Sequence, residues 1–285
     1  MNGNHHQEEP AMSATAAERV QRFRALHTAP DSFIIANAWD AGSARLLAGL
    51  GFSALATSSG ACAGVLGRRD GAVTRQEALA HAAAIVTATN LPVSADLEKC
   101  FADDPRAAAD TIREAAEIGL AGGSIEDASG DASRPIFEFQ LAVDRVAAAA
   151  EIARAAPNGF VLTARTENFV RGRTDLDDTI RRLQAFEAAG ADVLMAPGLP
   201  DLAAIRTVCA AVKRPVNFMA GIRGKSFTVA ALAEAGVKRI SLATSLYRAA
   251  MTGLLQAARE AKEHGTFGYL DTSLATPELN AFMHD

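Results

Sequence analysis

Cysteine is scarce in this chain: Cys62, Cys100 and Cys209 are widely spaced among 285 residues, and no CxxC pair occurs. An odd, scattered set of three argues against a disulfide framework or a zinc site and fits a reducing cytoplasm. Long apolar runs are missing too; none approaches the ~20 residues that a membrane span requires. The stretch from Met1 to Ser13 is polar and lacks the apolar core of a signal peptide. Residues 1–15 are therefore expected to form a disordered leader, with the His5–His6 pair incidental. A basic excess is absent, since 28 Lys and Arg stand against 33 Asp and Glu for a net charge of -5. That balance supplies no basic face for nucleic acid or an anionic membrane. There is no GxGxxG, which weakens a dinucleotide-binding fold, and no repeat or low-complexity run that would suggest a scaffold. No linker divides the chain after Ser13, so residues 16–285 are expected to form one domain.

Apolar residues are plentiful, at 49% of the sequence, enough for a single large core. Four segments share one pattern, a helix-like stretch ending at Gly and then a short apolar run. They are LLAGLGFSALATS (Leu46 to Ser58), AAEIGLAGGSIED (Ala115 to Asp127), FEAAGADVLMAPG (Phe186 to Gly198) and ALAEAGVKRISLA (Ala231 to Ala243). Gly51, Gly119, Gly190 and Gly236 can take the left-handed conformation that closes a helix, so a buried strand begins soon after each. Between them lie FIIANA (Phe33 to Ala38), LPVSADL (Leu91 to Leu97), FVLTART (Phe160 to Thr166) and RPVNFMAG (Arg214 to Gly221). Eight short apolar strands, separated by Ala-rich amphipathic stretches such as DPRAAADTIREAAE and DLDDTIRRLQAFEAA, predict an α/β fold, a closed (β/α)8 TIM barrel. After the eighth strand come a helix over Tyr247 to His264 and a tail, an extension of the kind that packs on a neighbouring subunit.

In such a barrel the chemistry sits at the C-terminal ends of the strands. Asp96 and Glu98 end strand three, Glu126 and Asp127 end strand four, and Arg165 and Glu167 end strand five. Asp70 lies in GRRDGA after strand two. Carboxylates converging on one mouth repel unless a cation neutralises them, and an oxygen-only set favours a hard divalent ion. Arg165 would supply a positive fork for a carboxylate or a developing oxyanion. Each acid alone also has a plainer reading: helix N-cap, solvated loop residue, or salt-bridge partner for Asp127. Asn217 on strand seven fits substrate contact or a paired core amide equally well. Asp40 is either a pocket residue beside Trp39 or a helix N-cap. His81 reads as structural, and Cys62 as a small buried hydrophobe.

The run GFSALATSSGACAGVLGRRD, then SADLEKC, GGSIEDA and TARTENF, resembles the isocitrate lyase/phosphoenolpyruvate mutase superfamily, in order and spacing from about Phe23 to Tyr247. The resemblance implies a Mg2+ site, with Mn2+ as the substitute ion. Asp96 would be the direct ligand, with Asp70, Glu98 and Glu126 acting through water. It implies that Ser58, Ser59 and Gly60 receive the substrate carboxylate, with Arg165 holding the substrate. Arg165, Asp70 and Glu126 become the candidate catalytic residues. It also implies a small carboxylic acid as partner, a pyruvate enolate on the reaction path, and a helix-swapped homodimer or homotetramer.

The sequence departs from the family pattern in places. The lyases carry Lys-Lys-Cys-Gly after strand four, whereas this chain reads EDASGDASRPIFEF from Glu126 to Phe139. Thiol-assisted isocitrate or methylisocitrate cleavage is therefore not expected. Asp-x-Glu replaces the usual Asp-x-Asp at Asp96 and Glu98, and Pro197 stands where those lyases place a glutamate. Ala56 replaces a bulky aromatic of the mutases. Ser129, Ser133 and Arg134 are the only obvious stand-ins on a short loop. The expectation is a C–C lyase of the oxaloacetate decarboxylase type. The alternatives are a P–C bond enzyme (phosphonopyruvate hydrolase or phosphoenolpyruvate mutase-like) and a catalytically silent 2-oxo acid binding barrel.

Overall fold

The computed structural model describes residues 14–283; most of the leader, including His5 and His6, lies outside them. Eight parallel strands close on themselves: β1 (Phe33–Asn37), β2 (Leu55–Ala56), β3 (Val93–Ala95), β4 (Gly122–Glu126), β5 (Val161–Arg165), β6 (Val193–Met195), β7 (Val216–Met219) and β8 (Arg239–Ser241). Each pairs with the next, and β8 returns to β1 through Ile34 opposite Ile240. Every apolar run singled out in the sequence contributes one strand. The chain is thus a (β/α)8 barrel, and the α/β expectation holds.

The four helix-closing glycines adopt positive φ, at 87° (Gly51), 86° (Gly119), 109° (Gly190) and 94° (Gly236). A side chain there would strain the turn that aims each following strand into the barrel. The helices start on ordinary caps. Asp104 accepts from the N–H groups of Arg106 and Ala107 (3.0 and 2.9 Å) ahead of Pro105, which begins the helix Pro105–Glu117. Asp40 accepts from Ser43 N–H at 2.7 Å and caps Ala41–Gly49, which settles its two readings in favour of the cap. Small side chains set the helix spacing. Ala108, Ile112 and Ala115 recur at helical intervals and are buried, as are Ala142, Val146 and Ala149 in the next helix, Phe139–Ala155.

The helix Ser245–His264 starts two residues before its expected boundary and buries none of its residues in this chain. Leu254 and Leu255 stand 62% and 49% exposed on it. Beyond it the tail comes back to the barrel, where the Phe282 ring occupies the space a Cβ on Gly49 would need. Among the described residues no helix is long and apolar enough to cross a membrane.

Candidate active site

A cavity of about 60 Å³ lies inside the barrel, with Asp96, Ser124, Arg165, Asn217 and Ser241 in its wall. Asp96, one residue beyond β3, is held from several sides. Its Oδ2 accepts from Ser59 N–H at 3.1 Å, and its Oδ1 accepts from Ser124 Oγ and Glu98 N–H, both at 3.4 Å. Its own N–H donates to Thr57 Oγ1 at 3.0 Å. The carboxylate is therefore oriented by groups from the ends of β2, β3 and β4 before any ligand arrives.

The chain beyond Asp96 is strained. Glu98, Cys100 and Phe101 have φ of 51°, 57° and 56°, a region that disfavours residues with a Cβ. Arg145 explains why the turn persists. Its buried guanidinium donates to the carbonyls of Lys99, Ala102 and Asp103 and lies 4.4 Å from the centre of the Phe137 ring. Glu98 so placed has its carboxyl pushed up to about 7 by burial and then by the charges of Asp96 and Asp70. Asp70 reaches the same place from the other side: a Cβ on Gly60 would stand 3.3 Å from Asp70 Oδ2.

Arg165 ends β5 beside Glu126, which its register places directly opposite on β4. Its Nη1 lies 3.5 Å from Glu126 Oε2 and 3.9 Å from Asp96 Oδ1, while its Nε donates to Glu167. Burial opposes the charge on Arg165, but Glu126, Glu167 and Asp96 outweigh it and hold the guanidinium firmly protonated. Burial raises the Glu126 carboxyl well above the usual range, against the pull of Arg165. Arg171, on the turn after β5, adds a second cation 3.3 Å from Glu167 and 3.9 Å from Glu126.

Asp127 is the salt-bridge partner of its plainer reading. It lies 3.2 Å from Arg182, which also binds Asp178 at 2.9 Å, and all three are buried. Asp127 Oδ1 accepts from Glu167 N–H at 2.7 Å, so the pair braces the strand end that carries Arg165. Removing one member of such a buried pair leaves an uncompensated charge and costs about 3–5 kcal/mol.

The structure thus brings Asp96, Glu98 and Asp70 to one side of the mouth and Glu126 with Arg165 to the other. Ser58 and Ser59 lead into the helix Ser59–Val65, but the Ser59 N–H is spent on Asp96 rather than free for a substrate carboxylate. Asn217 lines the cavity with both amide ends engaged, accepting from Arg239 Nε at 2.8 Å and donating to Ser241 Oγ at 3.0 Å. His81 bonds the Trp39 carbonyl at 2.7 Å and is structural. Burial pushes the Cys62 thiol up to about 11 and the Cys100 thiol up to about 12, so neither supplies a ready thiolate. The lid after β4 is a short turn, closed by an Ala128–Ile136 bridge and a Ser129 N–H to Pro135 carbonyl bond of 3.0 Å.

Among the described residues no three His, Cys, Asp or Glu side chains gather closely enough to ligate one ion together. One well-oriented carboxylate, with others at longer range, suits Mg2+, which keeps several of its waters. The donor set therefore fits a hard divalent cation.

A closed barrel with strained, buried acids and a clamped arginine at the C-terminal ends of its strands defines a TIM-barrel enzyme. The profile of the phosphoenolpyruvate phosphomutase family matches residues 23–262, and the chain belongs to that family, within the isocitrate lyase/phosphoenolpyruvate mutase superfamily. A Burkholderia cenocepacia J2315 structure, provisionally described as a lyase/mutase, superposes with a TM-score of 0.92 at 49% identity, covering 94% of this chain and 96% of that one. The oxaloacetate decarboxylase of Ectopseudomonas mendocina (strain ymp) is 30% identical over 87% of this chain and 86% of its own. The 2-methylisocitrate lyase of Shewanella oneidensis (strain ATCC 700550 and synonyms) is also 30% identical, over 75% of this chain and 74% of its own.

Proposed function

We propose that this protein is a Mg2+-dependent C–C lyase of the cytoplasm, acting on a small 2-oxo or 2-hydroxy carboxylic acid, and that oxaloacetate decarboxylation is its type of reaction. The observation that carries this reading is Arg165, whose Nη1 faces the cavity between Asp96 and Glu126 while its Nε is fixed by Glu167. The similarity to an oxaloacetate decarboxylase supports it. Asp96 would hold the ion directly, with Glu98, Asp70 and Glu126 reaching it through water, and Mn2+ would substitute. The chemistry the ion supplies when bound is Lewis-acid polarisation of a 2-oxo group.

The residues of the chain do the rest. Arg165 donates to the substrate oxygen on which negative charge develops as the C3–C4 bond of oxaloacetate breaks. The electron pair of that bond passes into a pyruvate enolate, CO2 departs, and C3 takes a proton from water. No thiol is needed, which agrees with two cysteines held as neutral thiols. The exposed apolar residues of Ser245–His264 support assembly as a homodimer or homotetramer.

The test is pyruvate release from oxaloacetate, phosphonopyruvate and 2-methylisocitrate, with Mg2+ and with EDTA, each corrected for spontaneous decay. Metal-dependent pyruvate from oxaloacetate is the expected result. Turnover of phosphonopyruvate instead would move the protein to P–C chemistry. Binding of a 2-oxo acid without turnover of any of the three would make it a silent barrel.

A further inference from the structure

A second arginine lies deeper in the barrel, below the groups assigned above. Arg239 opens β8, is only 4% exposed, and lines the same cavity as Arg165. Its Nε donates to Asn217 Oδ1 at 2.8 Å, its Nη2 donates to Thr163 Oγ1 at 2.9 Å, and its Nη1 lies 3.4 Å from His27 Nε2. Thr163 precedes Arg165 by two residues on β5 and points the same way. The Arg239 head therefore sits one inward layer, about 6–7 Å, below Arg165.

The two cations differ in company. Arg165 has three carboxylates around it. Among the described residues Arg239 forms no ion pair at all; its partners are an amide oxygen, a hydroxyl and an imidazole, with the Phe23 ring 5.9 Å away. The imidazole brings no negative charge. His27 Nδ1 bonds the Phe23 carbonyl at 2.8 Å, and burial followed by the charge of Arg239 lowers the ring to about 3, so it is neutral at physiological pH. Burial lowers Arg239 to about 9, which still leaves it charged near neutrality. A full positive charge is thus caged by neutral acceptors under a ligand cavity, and burying such a charge without a counter-ion is costly.

We propose that the bound ligand itself is the missing counter-ion: Arg239 is a positioning and selectivity residue that favours doubly over singly charged short carboxylates. This rests on the cavity being the substrate site, as proposed above, and goes beyond it by naming what sets the charge preference. Arg239 acts through space and through Asn217, whose amide it orients so that Nδ2 faces Ser241 on the cavity wall. A purely structural arginine would stabilise the barrel without regard to ligand charge.

The probes are oxalate, a dianion, and oxamate, a monoanion of nearly the same shape. Their affinities are measured by calorimetry in excess Mg2+ for wild-type protein and Arg239→Met. Electrostatic energy scales with ligand charge, so losing the cation should weaken oxalate on the order of thirtyfold and oxamate only about fivefold. Melting of the ligand-free Met variant serves to verify folding, because removal of a buried unpaired charge is set against the acceptors of Asn217 and Thr163 left without their donor. Arg239→Gln, a neutral side chain that can still donate to Asn217, should produce the same selective loss, and it decides the matter if the Met variant does not fold. Equal weakening of both probes, or no weakening, overturns the proposal while leaving the functional assignment standing. If neither probe binds the wild-type protein, the assignment of the cavity falls and this proposal falls with it.

Discussion

An Asp96→Ala variant should lose metal-dependent pyruvate release by about three orders of magnitude. A divalent ion supplies several kcal/mol of charge stabilisation to a polarised 2-oxo group, and about 1.4 kcal/mol corresponds to a tenfold change in rate. No neighbour can take over from Asp96. In the proposed arrangement Glu98, Asp70 and Glu126 reach the ion only through water, so none of them replaces its direct ligand. Alanine also removes the acceptor of the Ser59 N–H, so some loss of stability is expected alongside. Asp96→Asn separates the two effects: it keeps an oxygen for Ser59 and should keep the melting temperature while losing the metal dependence. Circular dichroism and a Mg2+ titration of rate on both variants make the comparison. Undiminished turnover in either variant would remove Asp96 from the metal site.

The architecture was legible from two features, helix-ending glycines and short apolar runs, because both follow from local geometry. The site was legible to the extent that strand ends could be located: Asp96, Glu126 and Arg165 fall there because β3, β4 and β5 end there. The sequence did not reveal which partners each side chain would find. Ser59, expected to offer its N–H to substrate, offers it to Asp96. Arg145 was missed although a signal existed, since it falls between Ala142 and Ala149 on the buried stripe of its helix, where a charge is out of place. Arg239 was hidden in a Lys-Arg pair that looks like an ordinary solvated strand start. Strand alternation separates the two, sending Lys238 out to the carbonyls of Pro30 and Asp31 and Arg239 into the barrel. Arg171 lies on a 3-10 turn that periodicity does not register.

Arg165→Gln is expected to lower kcat/KM by a factor on the order of a thousand, near the upper end for losing one preorganised donor to a developing oxyanion. The reason for so large an effect is that Arg165 serves two masters. It donates to the cavity and it also neutralises Glu126 and Glu167, which lie almost fully buried on either side of it. Glutamine leaves those acids facing each other with only the half-exposed Arg171 between them, so one should take up a proton and the cavity wall should lose its charge pattern. Arg165→Lys should recover little, because a single ammonium cannot hold Glu167 and face the cavity at once. The division between kcat and KM then reports the role. If Arg165 stabilises charge that appears only as the C3–C4 bond breaks, kcat should fall more than KM rises. A rise in KM with kcat preserved would make it an anchor for the substrate carboxylate alone, and the stabilisation of the enolate would have to be sought in another group.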